Sequence, residues 1–251
     1  VRMMVQPIVS LCASTIRPQN WLYLHSNASS GSTVPFEMVF VGPNEPDFIL
    51  PDNFKYIKSD VKPTQCTEIA IRHASGKFVM HVADDQEFVI DNPLGRLYDE
   101  YLSYNNENLI LSPRYMMNGS DCSYECHHYP TTQQESPIIP ISGFFPREIY
   151  LELGGIDKNF IVAFHDYDVA YRFYNRGGTV VLSDNVWVNE NSNLSFGVSR
   201  ILSQWGVHDQ KLLESLWMVD GKTQLNRSVP FEPFINENIL IESQGPKGLW
   251  I

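Results

Sequence analysis

The chain of 251 residues is long enough for one large domain or two small ones, and it can bury a substantial core. Hydrophobic residues make up 43% and charged residues 19%, which is the balance of an ordinary globular protein. The formal net charge of -11 argues against nucleic acid or an anionic membrane as a partner. No apolar run approaches the roughly 20 residues that a transmembrane segment requires.

The first half of the chain alternates strand-like and helix-like segments. Short β-rich apolar runs predict strands at 7–13, 36–42, 54–58 and 77–82. Apolar residues at helical spacing predict helices at 19–29 and 64–76. This alternation predicts an α/β fold with a mainly parallel sheet that is flanked by helices.

The second half is less regular. Its pattern predicts helices at 93–104, 147–155, 165–178 and 199–217, and strands at 108–113 and 179–184. Residues 114–135 are polar and 185–198 have no period, so both are expected to be loops. The second one is expected to be either a mobile lid over bound nucleotide or an ordinary surface loop. We therefore expect a single domain at 1–217 and a C-terminal arm at 218–251 that packs on it or extends from it.

An apolar run from Phe78 to Val82 ends in two adjacent carboxylates, Asp84 and Asp85. Neighbouring like charges cost free energy unless a cation or a hydrogen-bond network compensates them. Ligands of parallel α/β sheets bind at the carboxyl ends of the strands, which is where these carboxylates lie. The pattern favours a divalent metal with oxygen ligands, and a turn that caps the helix after Pro93 is an equal alternative.

A second group of carboxylates lies at the start of the helix predicted at 165–178. Asp166 shares a helical face with Val169, Ala170 and Phe173, so it is either a helix cap or a site residue. Asp168 points elsewhere and has Arg172 four residues later, which predicts a surface ion pair.

Four segments in order carry a resemblance to a known family: PIVSLCASTIRP, EMVFVG, TEIAIRHASGKFVMHVADDQ, and GGIDKNF with HDYDVAYRFYNRGGTVVLSD. Over roughly residues 7–184 they resemble the inverting GT-A glycosyltransferases of family 2. The resemblance implies the Rossmann-like GT-A fold, a UDP- or GDP-sugar donor, and a glycan or other hydroxyl acceptor. It also implies Mn²⁺ or Mg²⁺ as a cofactor.

Carried over by position, the resemblance assigns roles to individual residues. Asp166 is the expected catalytic base, Asp85 the expected metal ligand, and Asp84 is expected on the ribose and metal side of the donor. The residues expected at the nucleotide are Ser14, Thr15, Arg17 and Asn44. Apart from the resemblance, the acidic charge of the chain makes Arg17, Lys62 and Arg72 the candidates for auxiliary cations beside the donor phosphates. His208 is the candidate for a distal metal contact.

The sequence also departs from the family pattern. Gln86 stands where a third acid is common, Asn44 follows the strand that usually ends in an Asp, and His165 replaces a Glu. Asn189 stands where a His is often found. These departures leave two alternatives open: a catalytically inactive glycan-binding relative, and a nucleotidyltransferase, although CASTIRP lacks the glycine-rich loop of that class.

The cysteines are not spaced as strong zinc ligands. Cys122 and Cys126 lie beside His127 and His128, and we favour a polar loop over a zinc site there. Cys12 and Cys66 lie in apolar segments, as small core residues do. Cysteines that serve as core residues favour a reducing, cytoplasmic location for the protein. The lumen of the secretory pathway is the open alternative.

Overall fold

The computed structural model describes residues 6–129, 136–195 and 200–246, with the backbone alone described at 200–203. The strands are β1 (Val9–Ser14), β2 (Phe36–Gly42), β3 (Phe54–Lys58), β4 (Phe78–His81), β5 (Gln86–Phe88), β6 (Leu109–Met117), β7 (Ser120–Asp121), β8 (Phe144–Pro146), β9 (Thr179–Glu190), β10 (Met218–Val219) and β11 (Lys222–Thr223). The α-helices are α1 (Trp21–Ser29), α2 (Pro63–His73), α3 (Pro93–Ser103), α4 (Ser123–Cys126), α5 (Arg147–Glu152), α6 (His165–Asn175) and α7 (Arg200–Trp217).

The main sheet has the order β3-β2-β1-β4-β8-β6-β9-β5, with β7 paired to β6. The first four strands of this order are parallel to one another, and β6 is parallel to β9. The short strands β8 and β5 run antiparallel to their neighbours. Helices flank the sheet, so the predicted α/β fold with a mainly parallel sheet is confirmed.

The two faces of the sheet bury separate apolar layers, because successive side chains of a strand point to opposite faces. Along β4, Phe78 and Met80 join the layer that contains Trp21, whereas Val79 joins the layer on the other face. Ile69 of α2 packs in that second layer, as its helical spacing predicts. This alternation fixes the register of β4 and thereby places Asp84 beyond its carboxyl end.

Two segments predicted as loops carry strand structure. In the predicted loop at 114–135, β6 continues to Met117 and turns into β7, and α4 follows. Residues 130–135 of that loop lie outside the described residues. β9 continues to Glu190, with Val186 and Val188 buried in the core. The loop prediction is therefore wrong for 185–190, because its polar residues alternate with buried valines and pair with β6 and β5. Residues 196–198 of the expected lid and the predicted helix start at 199 lie outside the described residues.

The described part of the C-terminal arm, 218–246, packs on the domain. Gln65 of α2 donates from Nε2 to the carbonyl oxygens of Ile239 and Glu242 at 2.7 and 3.0 Å. Phe234 of the arm is buried in the apolar layer of α2. Among the described residues, no helix combines the length and apolar character needed to cross a membrane.

Candidate functional site

The turn after β1 is held by the carboxylate of Asp84. Its Oδ2 accepts hydrogen bonds from Thr15 Oγ1 at 2.7 Å, from the Ile16 amide at 2.9 Å and from the Arg17 amide at 3.0 Å. Its Oδ1 is paired with Nη1 of Arg17. Asp84 is buried, and its oxygens already have protein donors. The structure thus places Asp84 as an anchor of the turn, and its predicted role as a metal ligand has no supporting contact.

The same guanidinium explains how two adjacent carboxylates can be held together. Nη1 of Arg17 lies 3.3 Å from Asp85 Oδ2, besides its ion pair with Asp84. Asp85 Oδ2 also accepts from Ser195 Oγ at 2.7 Å, and 14% of the Asp85 side chain is exposed. The protein's own cation therefore compensates the carboxylate pair, and Asp85 is the member of the pair that can still reach a ligand.

The loops after β1 and β2 meet at this edge of the sheet. Asn44 Nδ2 donates to the Ile16 carbonyl oxygen at 2.7 Å, and the Thr15 amide donates to the Val41 carbonyl oxygen at 2.9 Å. Ser14 ends β1 and is paired with Val41 in the sheet register. Of the residues predicted to border the nucleotide, Thr15 and Arg17 contact Asp84, while Ser14 and Asn44 adjoin the same turn.

Gly42 permits the close approach of these two loops. A Cβ atom at this position would lie 1.8 Å from the Thr15 carbonyl oxygen, far inside van der Waals contact. We expect Gly42→Ala to lower the free energy of unfolding by at least the ~1–3 kcal/mol typical of overpacking, because the contact is with backbone. Urea denaturation measures this change.

The matched control is Gly206→Ala on α7. A Cβ atom there meets open space, so the substitution is expected to raise stability by roughly 0.5–1 kcal/mol. Equal stability of Gly42→Ala and the wild type would show that the two loops do not approach as closely as the structure has them.

Gln86 and Asn189, which stand where the family often has site residues, are used to hold the sheet. Gln86 accepts from the Ala83 amide at 3.0 Å and from Ser142 Oγ at 2.9 Å. Asn189 donates to Glu87 Oε1 at 2.9 Å. Both side chains are largely buried, so these departures from the family pattern are explained by local hydrogen bonding.

The second half of the site is the start of α6. Asp166 is partly exposed in the first turn, and its Oδ1 accepts from the Tyr167 amide at 3.1 Å. Burial raises the pKa of Asp166, and the neighbouring His81 opposes that rise. The rings of His81, at the end of β4, and His165 lie 5.3 Å apart. This contact brings the start of α6 to the strand that leads into Asp84 and Asp85.

The loop that leads into α6 is held by a buried carboxylate that the sequence analysis missed. Asp209 of α7 accepts from the amides of Ile161, Val162 and Ala163 at 3.0, 2.7 and 2.9 Å. Phe164 then enters the helix with a φ of 58°. No local sequence signal identifies Asp209, because its partners lie more than 45 residues away in the chain.

Asp168 is not a surface residue, and that prediction is wrong. It is 0% exposed, and its Oδ2 accepts from Arg172 Nε at 2.8 Å. Its Oδ1 accepts from Trp217 Nε1 at 2.9 Å and from Arg227 Nε at 3.0 Å. The ion pair with Arg172 exists, but α7 and the C-terminal arm cover it, which helical spacing alone does not reveal.

Arg72 lies away from the site, contrary to its predicted place beside the donor. It is at the end of α2, where Arg147 donates to its carbonyl oxygen at 3.0 Å. The amide of Arg147 also donates to Lys77, which precedes β4, so Arg72 lies at the amino edge of the sheet. A helix between parallel strands runs antiparallel to them, which takes its last turn away from their carboxyl ends.

The predicted metal ligands do not form a complete set. Within 6–129, 136–195 and 200–246, no three His, Cys, Asp or Glu side chains are grouped so that they could hold a metal ion. His208 lies on α7 with Nδ1 3.1 Å from Asp209 Oδ1. One accessible carboxylate, Asp85, fits a Mg²⁺- or Mn²⁺-type ion that takes its other ligands from substrate phosphates and water.

No protein-family model and no curated protein sequence matches the chain. Solved structures do match. A structure of S. aureus TarS 1-349 in complex with UDP superposes with a TM-score of 0.56 at 14% identity, over 72% of this chain and 60% of that one. GalNAc-T7 with UDP, GalNAc and Mn²⁺ gives a TM-score of 0.59 at 13% identity, over 86% of this chain and 49% of that one.

The fold is therefore the GT-A fold of glycosyltransferases. Both neighbours are similar in fold at low identity, and this chain spans 60% or less of their lengths.

Proposed function

We propose that the protein transfers a sugar from a nucleoside-diphosphate sugar to a hydroxyl group of a glycan or another acceptor, with inversion. The observation that carries this proposal is the contact between His81 and His165, whose rings are 5.3 Å apart. This contact supports the proposal because it joins the start of α6, where Asp166 is partly exposed, to the strand that leads into Asp84 and Asp85. A donor site and a base are thus combined at the carboxyl ends of parallel strands.

The proposed donor site is the edge formed by the loops after β1, β2 and β4. Arg17 carries the positive charge of this edge and can face a diphosphate once a donor is bound. Asn44 and the 14–17 turn are held together by hydrogen bonds and would border the nucleoside. The structural neighbours contain UDP, which supports a UDP-sugar over a GDP-sugar as donor.

Asp85 would hold Mn²⁺ or Mg²⁺ together with the donor diphosphate, and the Mn²⁺ in the GalNAc-T7 structure supports this choice. A bound metal would neutralise the charge that develops on the leaving diphosphate. In this chain Arg17 lies 3.3 Å from Asp85 and adds a second positive charge at the same place. Asp84 and His208 remain predicted ligands without a supporting contact.

Asp166 is the proposed general base. It would remove the proton of the acceptor hydroxyl as the oxygen attacks the anomeric carbon from the face opposite the diphosphate. The raised pKa of Asp166 makes it a stronger base than an ordinary Asp. His165 is the alternative base, but it is 8% exposed with both ring nitrogens buried, which leaves it out of reach of an acceptor.

Binding of UDP is expected to depend on Mn²⁺ or Mg²⁺ through Asp85. In calorimetric titrations, Mn²⁺ should strengthen UDP binding to the wild type, and Asp85→Ala should abolish that gain without unfolding the protein. Asp184→Ala is the matched control, because the Asp184 carboxylate is exposed. Its one ion pair among the described residues is with Arg114, at 3.4 Å. If UDP binds as tightly in excess EDTA as with Mn²⁺, binding does not depend on a metal. Arg17 would then be the cation that compensates the charge of the UDP diphosphate.

Arg17 pairs with both Asp84 and Asp85, so the two carboxylates are compensated without a metal. This favours a second candidate, a catalytically inactive relative that binds glycans. Donor hydrolysis in the presence of Mn²⁺ separates the two, because only the enzyme releases UDP. The predicted nucleotidyltransferase alternative has no such supporting observation. The cytoplasmic location stays a prediction.

A further inference from the structure

A cavity of about 40 Å³ is lined in part by Asp166. Its walls are mostly apolar and come from α2, β4, β6, α5, α6, the 140–145 segment and Ile156. The ionisable side chains on the wall near α6 are His81, His165 and Asp166. His165 is 8% exposed, and within the described part of the chain neither of its ring nitrogens has a hydrogen-bond partner.

A buried imidazole without a partner costs free energy, and folded proteins satisfy nearly all such groups. The cavity has room for at least one water molecule, which needs roughly 10–15 Å³ of this kind of volume. A buried water also needs two to four polar partners, and the two imidazoles with the carboxylate provide them. The site is therefore polar enough and large enough to hold water.

We propose that ordered water in this cavity joins His165 and His81 to the Asp166 carboxylate, and that both histidines are positioning residues for this carboxylate. A neutral imidazole carries one N–H donor, and a bridging water passes that hydrogen bond on to the carboxylate. The bridge fixes the carboxylate from behind and leaves its other side free toward the acceptor. The role of Asp166 as base rests on the proposed function, whereas the water bridge does not.

The charges around the cavity suit this arrangement. Burial lowers the pKa of both His81 and His165 to about 4, so both rings are neutral at neutral pH. Asp166 is the charged group that faces His81, while Asp209 and Asp168 are the charged groups nearest His165. Because both imidazoles are neutral at neutral pH, the carboxylate is oriented there by hydrogen bonds through water and not by an ion pair.

The water bridge is tested by a high-resolution crystal structure of the full chain at neutral pH. We expect an ordered water within hydrogen-bond distance of a His165 ring nitrogen and of either His81 or the Asp166 carboxylate. A dry cavity, or a water that contacts neither His81 nor Asp166, would overturn the inference. This measurement needs no activity and no variant.

The positioning role is tested by two substitutions of one residue. We expect His165→Phe to lower turnover by about 10–100-fold with the KM for the donor unchanged. Losses of this size are typical when a residue that orients a metal ligand by a hydrogen bond is removed. His165→Asn keeps an amide donor in the cavity and should restore part of the loss. His127→Phe is the control, because His127 is also buried, its Nε2 has no hydrogen-bond partner among the described residues, and it does not line this cavity.

The outcomes separate this inference from the proposed function. Normal turnover of a folded His165→Phe protein, together with an inactive Asp166→Asn protein, would overturn the positioning role and leave the base in place. Normal turnover of Asp166→Asn would overturn the proposed base, while the crystallographic water still decides the bridge. If His165→Phe does not fold, the Asn variant and the crystal structure decide.

Discussion

Asp166→Asn is expected to lower turnover by about 10²–10⁴-fold, the usual contribution of a positioned general base. The amide has nearly the shape of the carboxylate but cannot accept the proton of the acceptor hydroxyl. Affinity for UDP should change little, because the base contacts the acceptor and the leaving diphosphate lies on the opposite face of the sugar. Turnover is measured as UDP release, and affinity by calorimetric titration.

Asp184→Asn is the control for this experiment, since it makes the same chemical change on an exposed carboxylate. It should leave both quantities unchanged. If Asp166→Asn retains near-normal turnover and His165→Ala loses it, the base is His165. Such a result would also require the buried ring of His165 to become accessible, which a crystal structure with bound donor would show.

Asp168→Ala is expected to cost about 3–5 kcal/mol of the free energy of unfolding, because it removes one partner from a buried ion pair. The substitution leaves Arg172 with backbone carbonyl oxygens as its remaining hydrogen-bond partners, whereas Arg227 keeps its ion pair with Asp157. It also removes the acceptor of Trp217 Nε1. Chemical denaturation followed by the fluorescence of the tryptophans measures the loss.

The control is Glu152→Ala, whose ion pair with Arg176 is largely exposed. Exposed pairs of this kind contribute at most about 1 kcal/mol. If Asp168→Ala lowers the free energy of unfolding by no more than Glu152→Ala does, the C-terminal arm does not cover Asp168 in solution. The comparison therefore also tests whether the arm belongs to the folded domain.

Local sequence patterns determined most of the elements. The β-rich run at 36–42 and the helical face of α2 are found in the structure where they were predicted, because side-chain periodicity is a local property of the backbone. The extension of β9 to Glu190 was not predictable in this way. Its Asn and Ser residues are typical of loops, and the pairing with β6 and β5 that makes it a strand comes from distant parts of the chain.

The same division holds for the candidate site. The sequence by itself located Asp84 and Asp85 at the end of a buried strand and Asp166 on the inner face of a helix, since both follow from spacing. Only the tertiary structure decided that Arg17 lies between the two carboxylates, 67 residues from Asp84 in the chain. Likewise, only the packing of α7 and the arm buries Asp168. Charge compensation and burial depend on contacts between distant segments, and these contacts form only when the chain folds.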